Sequence, residues 1–325
     1  MNDILLSPAL EDQVTSKFDE LVAKGEIIYE PSTADIKEDE GFKVCCRHYM
    51  SGLPSRRQIL TWYPGAQFQF RLVPHLVRKP ITAHDAPERK TGRGNNPFLN
   101  PDPNFTLSEV GSFHLLLLNK YCVYRPSLLL ITRHFAPQSD SLDAHDLSAA
   151  WSLLNRFEKK YMMIFNCGYE AGSSQGHKHM QLWHYPDERE MGFPLFPSKA
   201  VSTTEITSDI EDVPHQHFVL RLPSKVDETV LVKAYGRLHK AVEDCHARYG
   251  GGPAYNVILV REWMCLIPRR HCGLERGAGA NAAAIVGTVW VISETEKEIW
   301  NAEYFRYLGY PREARPVGLV HQSTT

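Results

Sequence analysis

Three stretches of the chain repeat apolar residues three or four positions apart, the spacing of one helix face. The first covers roughly residues 7–24 and stops before Gly25. A second begins near Ser141 or Asp143, and a third covers 227–249, where three consecutive glycines follow it. We therefore predict three amphipathic helices at these positions, each with an apolar face to bury.

Short apolar runs with the composition of β-strands fill the space between these helices. They cover residues 113–119, 127–135, 161–167, 177–185, 217–223, 255–260 and 263–268. The last two runs are separated only by Arg261 and Glu262, which predicts a hairpin. Many strands with tight turns and few helices are typical of a mostly antiparallel sheet with flanking helices on one side. The predicted fold class is α+β.

Two segments, 80–106 and 186–215, follow neither pattern and are irregular, the first of them rich in Pro, Asn and Gly. Segments of this length are binding loops or lids in some proteins and disordered in others, and the sequence leaves both readings open. No internal repeat and no linker divides the chain. We therefore expect a single domain over residues 1–325.

Composition and charge narrow the function classes. Of the 325 residues, 43% are hydrophobic and 23% charged, which is typical of a globular protein. A net charge of -2 gives no overall attraction to nucleic acid or to an anionic membrane, so an anion must be recognised by a local site. The seven cysteines contain no C-x-x-C pair, and no apolar run is long enough for a bilayer. We expect a cytoplasmic, or also nuclear, protein without nucleic-acid or membrane partners.

Candidate chemistry lies in the segment GSSQGHKHMQLW at positions 172–183. On a strand, alternate side chains point the same way, so His177, His179 and Gln181 share one face, while the residues between them share the other. The small residues just before this strand can bring backbone N–H groups close to a ligand. That combination suits a phosphate.

A neutral imidazole can attack phosphorus near pH 7, because its reference pKa is about 6.5. The product would be a covalent phosphorus–nitrogen intermediate, which favours two-step nucleotidyl transfer. The same H-x-H spacing also serves zinc, which needs a further ligand. Candidates for that ligand are His114, His134, His184 and His217. Ordinary strand histidines are a third interpretation, and spacing alone leaves all three open.

At full length the pattern N-C-G-x-x-x-G-S-S-Q-x-H-K-H-x-Q, from Asn166 to Gln181, resembles the signature of the diadenosine tetraphosphate phosphorylases. These enzymes, also called ATP adenylyltransferases, belong to the histidine-triad superfamily. Further elements are similar to that family in the same order. They are LVPHLVRKP at 72–80, NPFLNPDP at 96–103, LLLLNKYCVYRPSLLLIT at 115–132 and YNVILVREWMCLIPRRH at 255–271.

The resemblance implies a histidine-triad-like fold and phosphorolysis of diadenosine tetraphosphate to ATP and ADP through an adenylylated histidine. By position in the motif, His179 would be the nucleophile and His177 would orient the site. Gln181 would hydrogen-bond the phosphate under attack, and Lys79 would contact the polyphosphate. Glutamine at the third position favours a transferase over a hydrolase, because an ATP leaving group needs little protonation.

The resemblance also implies which residues bind the nucleotide. They are Asn166, Gly172, Ser173, Ser174 and Gln175 in the loop, with Asn119 and Lys120 at a neighbouring strand end. Asn96 and Asn100 would close over the nucleotide.

The expected partners are a dinucleoside polyphosphate, ATP, ADP and inorganic phosphate. A divalent cation such as Mg²⁺ would travel with the substrate, since the motif offers no carboxylate cage for a resident metal.

Two positions depart from the family pattern. His75 replaces a small residue and would bring a titratable side chain near the polyphosphate, and Arg261-Glu262 makes the hairpin less basic. These departures concern the choice of substrate and not the type of reaction. The rival functions are transfer to sulfate or a sugar phosphate, hydrolysis of dinucleoside polyphosphates, and nucleotide sensing without catalysis.

Overall fold

A computed structural model describes residues 10–30, 34–38, 42–46, 59–63 and 67–312. Its α-helices are α1 (Leu10–Ala23), α2 (Glu88–Thr91), α3 (Ala144–Arg156), α4 (Glu188–Met191), α5 (Glu228–Tyr249), α6 (Ala282–Val286), α7 (Glu294–Ile299) and α8 (Ala302–Leu308). Short 3₁₀ turns cover Pro74–Arg78, Phe196–Lys199 and Leu274–Arg276.

The strands are β1 (Ala34–Glu38), β2 (Phe42–Cys46), β3 (Ile59–Tyr63), β4 (Gln67–Leu72), β5 (Thr106–Val110), β6 (His114–Leu118), β7 (Ser127–Thr132), β8 (Tyr161–Cys167), β9 (His179–His184), β10 (Phe218–Arg221), β11 (Tyr255–Leu259), β12 (Trp263–Pro268) and β13 (Thr288–Val291).

Eight of these strands form one open antiparallel sheet in the order β10-β12-β11-β8-β9-β7-β6-β5. Each predicted run contains one of its strands, and β11 and β12 form the predicted hairpin. A smaller sheet has the order β1-β4-β13, in which β13 runs parallel to β4. Strands β2 and β3 pair with each other. The predicted α+β class, with a mostly antiparallel sheet and flanking helices, is confirmed.

The three predicted helices are also confirmed, and they cover one face of the large sheet. Helix α3 begins after Asp143, whose carboxylate accepts a hydrogen bond from the backbone N–H of Asp146. Helix α5 ends at Gly250, which has a φ of 70° and so adopts a conformation that glycine reaches without steric cost. The apolar faces of α1, α3 and α5 bury against side chains of β8 and β9 such as Met163 and Met180.

The opposite face of the sheet is covered as well, although the sequence pattern predicted cover on one side only. There α6, α8 and the small sheet pack onto alternate residues of the same strands, for example Met162 and Trp183. Segments 80–106 and 186–215 are ordered and carry α2 and α4 respectively. The single domain over 1–325 stays a prediction.

None of the helices in the described part of the chain is long and apolar enough to cross a membrane. Five cysteines in that part, Cys122, Cys167, Cys245, Cys265 and Cys272, are buried as free thiols.

The N-cap of α5 should contribute measurably to stability. The Asp227 carboxylate accepts a hydrogen bond from the backbone N–H of Val230 at 2.8 Å. Asp227→Ala should lower the free energy of unfolding by about 1 kcal/mol. Asp244→Ala is the matched control, because Asp244 lies on the same helix in an exposed ion pair with Lys240. Its loss should cost much less, because an exposed ion pair contributes little to stability. Urea denaturation of both variants measures the difference, and equal losses would contradict the capping role.

Candidate active site

Strand β9 and the two residues before it sort their side chains between the two faces of the sheet. Met180 and Leu182 enter the core beneath the helices. His177, His179 and Gln181 point to the other face and are 1%, 4% and 5% exposed. The two histidines and the glutamine therefore enter a space that water reaches poorly.

Lys178 points to the helix side, where a buried charge needs a partner. Its ammonium Nζ lies 3.0 Å from Oδ2 of Asp146 in α3, and His114 Nε2 lies 2.7 Å from Oδ1 of the same carboxylate. Burial alone would raise the pKa of Asp146, but the hydrogen bond from His114 and the charge of Lys178 lower it overall. The buried charge of Lys178 is thus compensated by Asp146 on the helix side of the sheet.

His179 has a defined tautomer, because its Nδ1 lies 2.9 Å from the backbone carbonyl of His177. A carbonyl only accepts hydrogen bonds, so Nδ1 carries the proton and Nε2 keeps the lone pair. Burial lowers the pKa of His179 to about 4, although the bond to the carbonyl opposes this and the charge of Lys79 adds to it. Near neutral pH the ring is therefore uncharged, with a lone pair on Nε2.

Both ring nitrogens of His177 are engaged by the protein. Nε2 donates to the carbonyl of Thr132 at 2.9 Å, and Nδ1 accepts from the Asn96 amide at 3.1 Å. Burial lowers the pKa of His177 as well. These bonds leave no lone pair for attack or for a metal, so the ring acts as a structural partner of the site.

The side chain of His179 lines a cavity of about 280 Å³. Its apolar lining includes Phe98, Phe105, Leu117 and Leu129. Its polar lining includes Lys79, Asn119, Lys120, Ser174, Gln175, His179 and Gln181, all of them among the predicted site residues. A lining that combines apolar side chains with polar ones suits a nucleotide, which has a flat base and a polar phosphate chain.

A second cavity of about 330 Å³ shares Lys79 and Ser174 with the first. Gly172 and Ser173 line only this second cavity. Gly172 has a φ of +87°, and an added Cβ would lie 2.1 Å from the carbonyl oxygen of Ala280. The loop can therefore pass this close to the segment before α6 only with glycine at that position.

Arg89 of α2 fixes this loop, although no motif or periodicity in the sequence predicted this role. Its guanidinium donates to the carbonyl of Ser173 at 2.9 Å and to the carbonyl of Thr82 at 2.7 Å. It also lies 4.8 Å from the centre of the Tyr169 ring. Fixed by several hydrogen bonds, Arg89 joins segment 80–106 to the Gly-Ser loop.

Asn166 lies behind the loop and lines neither cavity. Its side-chain oxygen accepts from the Asn256 amide and from the backbone N–H of Ala282, both at 2.9 Å. Asn96 contacts His177 as described, whereas Asn100 is exposed outside the cavity lining. A direct nucleotide contact by Asn166 stays a prediction.

Both departures from the family pattern lie away from the cavity. His75 is buried, its Nε2 is 2.8 Å from the carbonyl oxygen of Cys122, and it is in the lining of neither cavity. Glu262 pairs with Lys160 at 3.2 Å. The hairpin turn comes after Leu259, whose partner in β8 is Met163, near the start of that strand. The site lies near the C-terminal end of β8. The effect of these two departures on phosphate contacts stays a prediction.

The zinc interpretation finds no ligand set in the described part of the chain, where no three His, Cys, Asp or Glu residues form a group that could hold a metal. His114 and His184 lie on the helix side of the sheet, against Asp146 and Glu11.

Fold and site together define an α+β protein with a neutral, buried histidine at a cavity that both apolar and polar side chains line. Residues 52–199 match the model of the Ap4A phosphorylase N-terminal domain, and residues 211–311 match that of the ATP adenylyltransferase C-terminal domain. The chain belongs to the Ap4A phosphorylase family, whose members are nucleotidyltransferases.

Two relatives come from Saccharomyces cerevisiae. Protein APA1 is 30% identical over 245 residues, which are 67% of this chain and 75% of the relative. Diadenosine 5',5'''-P1,P4-tetraphosphate phosphorylase 2 is 28% identical over 236 residues, 63% of this chain and 69% of the relative.

Solved structures of yeast Ap4A phosphorylase Apa2 share the fold. Its crystal structure aligns with a TM-score of 0.72 at 23% identity, over 95% of this chain and 97% of the other. The structure of Apa2 in complex with Ap4A aligns with a TM-score of 0.72 at 22% identity, over 95% and 100%.

His179 should stay neutral down to about pH 4, because burial disfavours its charged form. A pH titration by NMR of protein with ¹⁵N-labelled histidine measures this, and the signal missing from His179→Ala assigns the residue. The unfolded chain binds this proton at about pH 6.5, so the contribution of this group to stability falls as the pH falls from there towards 4. A midpoint near the unfolded value would contradict the buried, neutral ring.

Proposed function

We propose that this protein phosphorolyses diadenosine tetraphosphate to ATP and ADP through a covalent adenylyl intermediate on His179. One observation carries the proposal: Nδ1 of His179 donates a hydrogen bond to the His177 carbonyl. Because Nδ1 holds the proton, Nε2 keeps a free lone pair on a side chain that lines the cavity. Family membership supports the substrate, since the relatives include a tetraphosphate phosphorylase. The H-x-H-x-Q strand supports the histidine-triad superfamily.

In the first step the Nε2 lone pair forms a bond to the α-phosphorus of one adenylyl group. The bond from that phosphorus to the bridging oxygen breaks, and its electron pair leaves with ATP. The imidazole then carries positive charge, which the His177 carbonyl stabilises through the hydrogen bond to Nδ1–H. ATP is stable as an anion, so it needs no general acid.

In the second step an oxygen of inorganic phosphate attacks the same phosphorus. The phosphorus–nitrogen bond breaks, ADP leaves and the lone pair returns to Nε2. Gln181 lies two residues further along the same strand face and lines the cavity, so we assign its amide to a phosphoryl oxygen. We place the nucleoside beside the apolar side chains of Phe98 and Leu129.

Lys79 is assigned to the polyphosphate, because it lines both cavities. Burial lowers the pKa of this lysine, and bound phosphates would counter that shift. A divalent cation such as Mg²⁺ is assigned to the substrate and would neutralise phosphate charge there. Asp102 is the one carboxylate among the described residues of the first cavity, which is too few for a protein cage of its own.

Mass spectrometry of the intact protein tests the intermediate. Protein incubated with diadenosine tetraphosphate in the absence of phosphate should gain one adenylyl group and lose it as ADP when phosphate is added. His179→Ala should gain none, because the nucleophile is missing. His145→Ala is the matched control, since His145 is exposed on α3, and it should be adenylylated normally.

Other outcomes would replace the proposal. AMP formed without phosphate indicates a hydrolase, and products formed with sulfate or a sugar phosphate indicate another acceptor. Tight nucleotide binding without turnover, unchanged in His179→Ala, indicates a sensor.

The charge of Lys79 should matter for the chemical step as well as for binding. Lys79→Met keeps the length of the side chain but removes the cation, so single-turnover adenylylation should slow by about 100-fold. Lys90→Met is the control, because Lys90 is exposed in α2 and lines neither of the two cavities. Quench-flow measurement at saturating substrate separates the rate from affinity, and an unchanged rate would remove Lys79 from the mechanism.

A further inference from the structure

Strands β8 and β9 separate at the site. Their register runs from Tyr161 and His184 to Ile164 and Gln181, where the ladder ends. In a continued antiparallel ladder, Asn166 would be the partner of His179, and the two backbones would exchange hydrogen bonds. They do not pair in this way.

The side chain of Gln138 occupies the gap. Its Oε1 accepts from the backbone N–H of His179 at 2.7 Å, and its Nε2 donates to the carbonyl of His179 at 3.1 Å. The same Nε2 donates to the carbonyl of Asn166 at 2.9 Å. The side-chain amide thus takes the place of a peptide group between the two strands.

The backbone of Gln138 extends this connection to both flanking loops. Its N–H donates to the carbonyl of Gly176 at 2.8 Å, and its carbonyl accepts from the N–H of Gly168 at 3.1 Å. The side chain is 2% exposed, so water does not compete for these bonds. One residue therefore holds the chain on both sides of His177, whose carbonyl fixes the His179 ring.

We infer that Gln138 is a positioning residue for the nucleophile: it fixes the His179 backbone so that Nδ1 stays on the His177 carbonyl and Nε2 stays aimed at the cavity. The inference depends on the proposed function for its kinetic consequence, but its structural part does not. Gln138 touches neither cavity that we assign to the substrate, so it acts through His179.

Gln138→Met tests this, because methionine has a similar length and makes none of the amide bonds. The His179 ring should lose its single tautomer, which ¹⁵N NMR of labelled histidine detects as a shift towards the averaged signal of a free imidazole. Single-turnover adenylylation should slow by about 10- to 100-fold, as expected for a misplaced nucleophile. The dissociation constant for ADP should change by less than about twofold, since the binding surface is intact.

Two further variants distinguish positioning from general damage. Gln69→Met replaces another buried glutamine, in β4, and should change neither the tautomer signal nor the adenylylation rate. Gln138→Glu retains an acceptor for the His179 N–H and should recover part of the rate. Its carboxylate should also raise the pKa of His179, so the acid limb of the rate profile should move to higher pH.

The outcomes are distinct. If folded Gln138→Met keeps the native tautomer, the positioning role is wrong, whatever the activity. If its adenylylation rate is unchanged, or if only ADP affinity falls, the role is also wrong. If Gln138→Met does not fold, Gln138→Glu decides: an unchanged rate and pH profile would overturn the inference. If the tautomer shifts but native protein is never adenylylated, the proposed function fails and the positioning role stands.

Discussion

Side chains of a strand must alternate between the two faces of its sheet, and in β9 this constraint separates the core from the site. Met180 and Leu182 contribute to the apolar layer under the long helices. His179 and Gln181 are carried to the opposite face by the same backbone. The site is therefore rigid because the strand that carries it is also a central part of the core, and displacement of the histidine would disturb packing on the other side.

The segment before β5 connects the wall of the cavity to the orientation of the histidines. Asn96 holds the His177 ring, and two residues later Phe98 lines the cavity with its ring centre 5.1 Å from that of His179. Arg89, earlier in the same segment, binds the Gly-Ser loop. A nucleotide that pressed on this segment would therefore act on the histidines as well, since the three contacts belong to one short piece of chain.

Much of the architecture could be predicted from periodicity. Helices with long apolar stripes and strands of the central sheet were recognisable, because their burial repeats at the period of the element. The region from 282 to 308 was not, since α6, α7 and α8 are short and β13 pairs with the distant β4. A parallel pairing of this kind leaves no local signal in the sequence.

The site residues also fall into those that a local sequence pattern predicts and those that depend on the tertiary fold. His177, His179 and Gln181 were recognisable from their alternation and from their motif. Gln138 and Arg89 were not, because each mainly binds backbone carbonyls and N–H groups of remote segments, which depend on the folded path and not on residue type. For His75, likewise, a motif position does not specify which way a side chain turns, and its ring contacts the Cys122 carbonyl without lining either cavity.

The buried group of Lys178, Asp146 and His114 has a consequence for how the chain can change in evolution. Insertion or deletion of one residue just before β9 would exchange the two faces of the strand. It would move an ammonium to the cavity side of the sheet and put an imidazole next to a carboxylate that already contacts one. Because a mismatched buried charge is costly, such a chain would not fold into a shifted alternative. The segment just before the strand is therefore constrained in length, in addition to the constraint on residue type at Gly172.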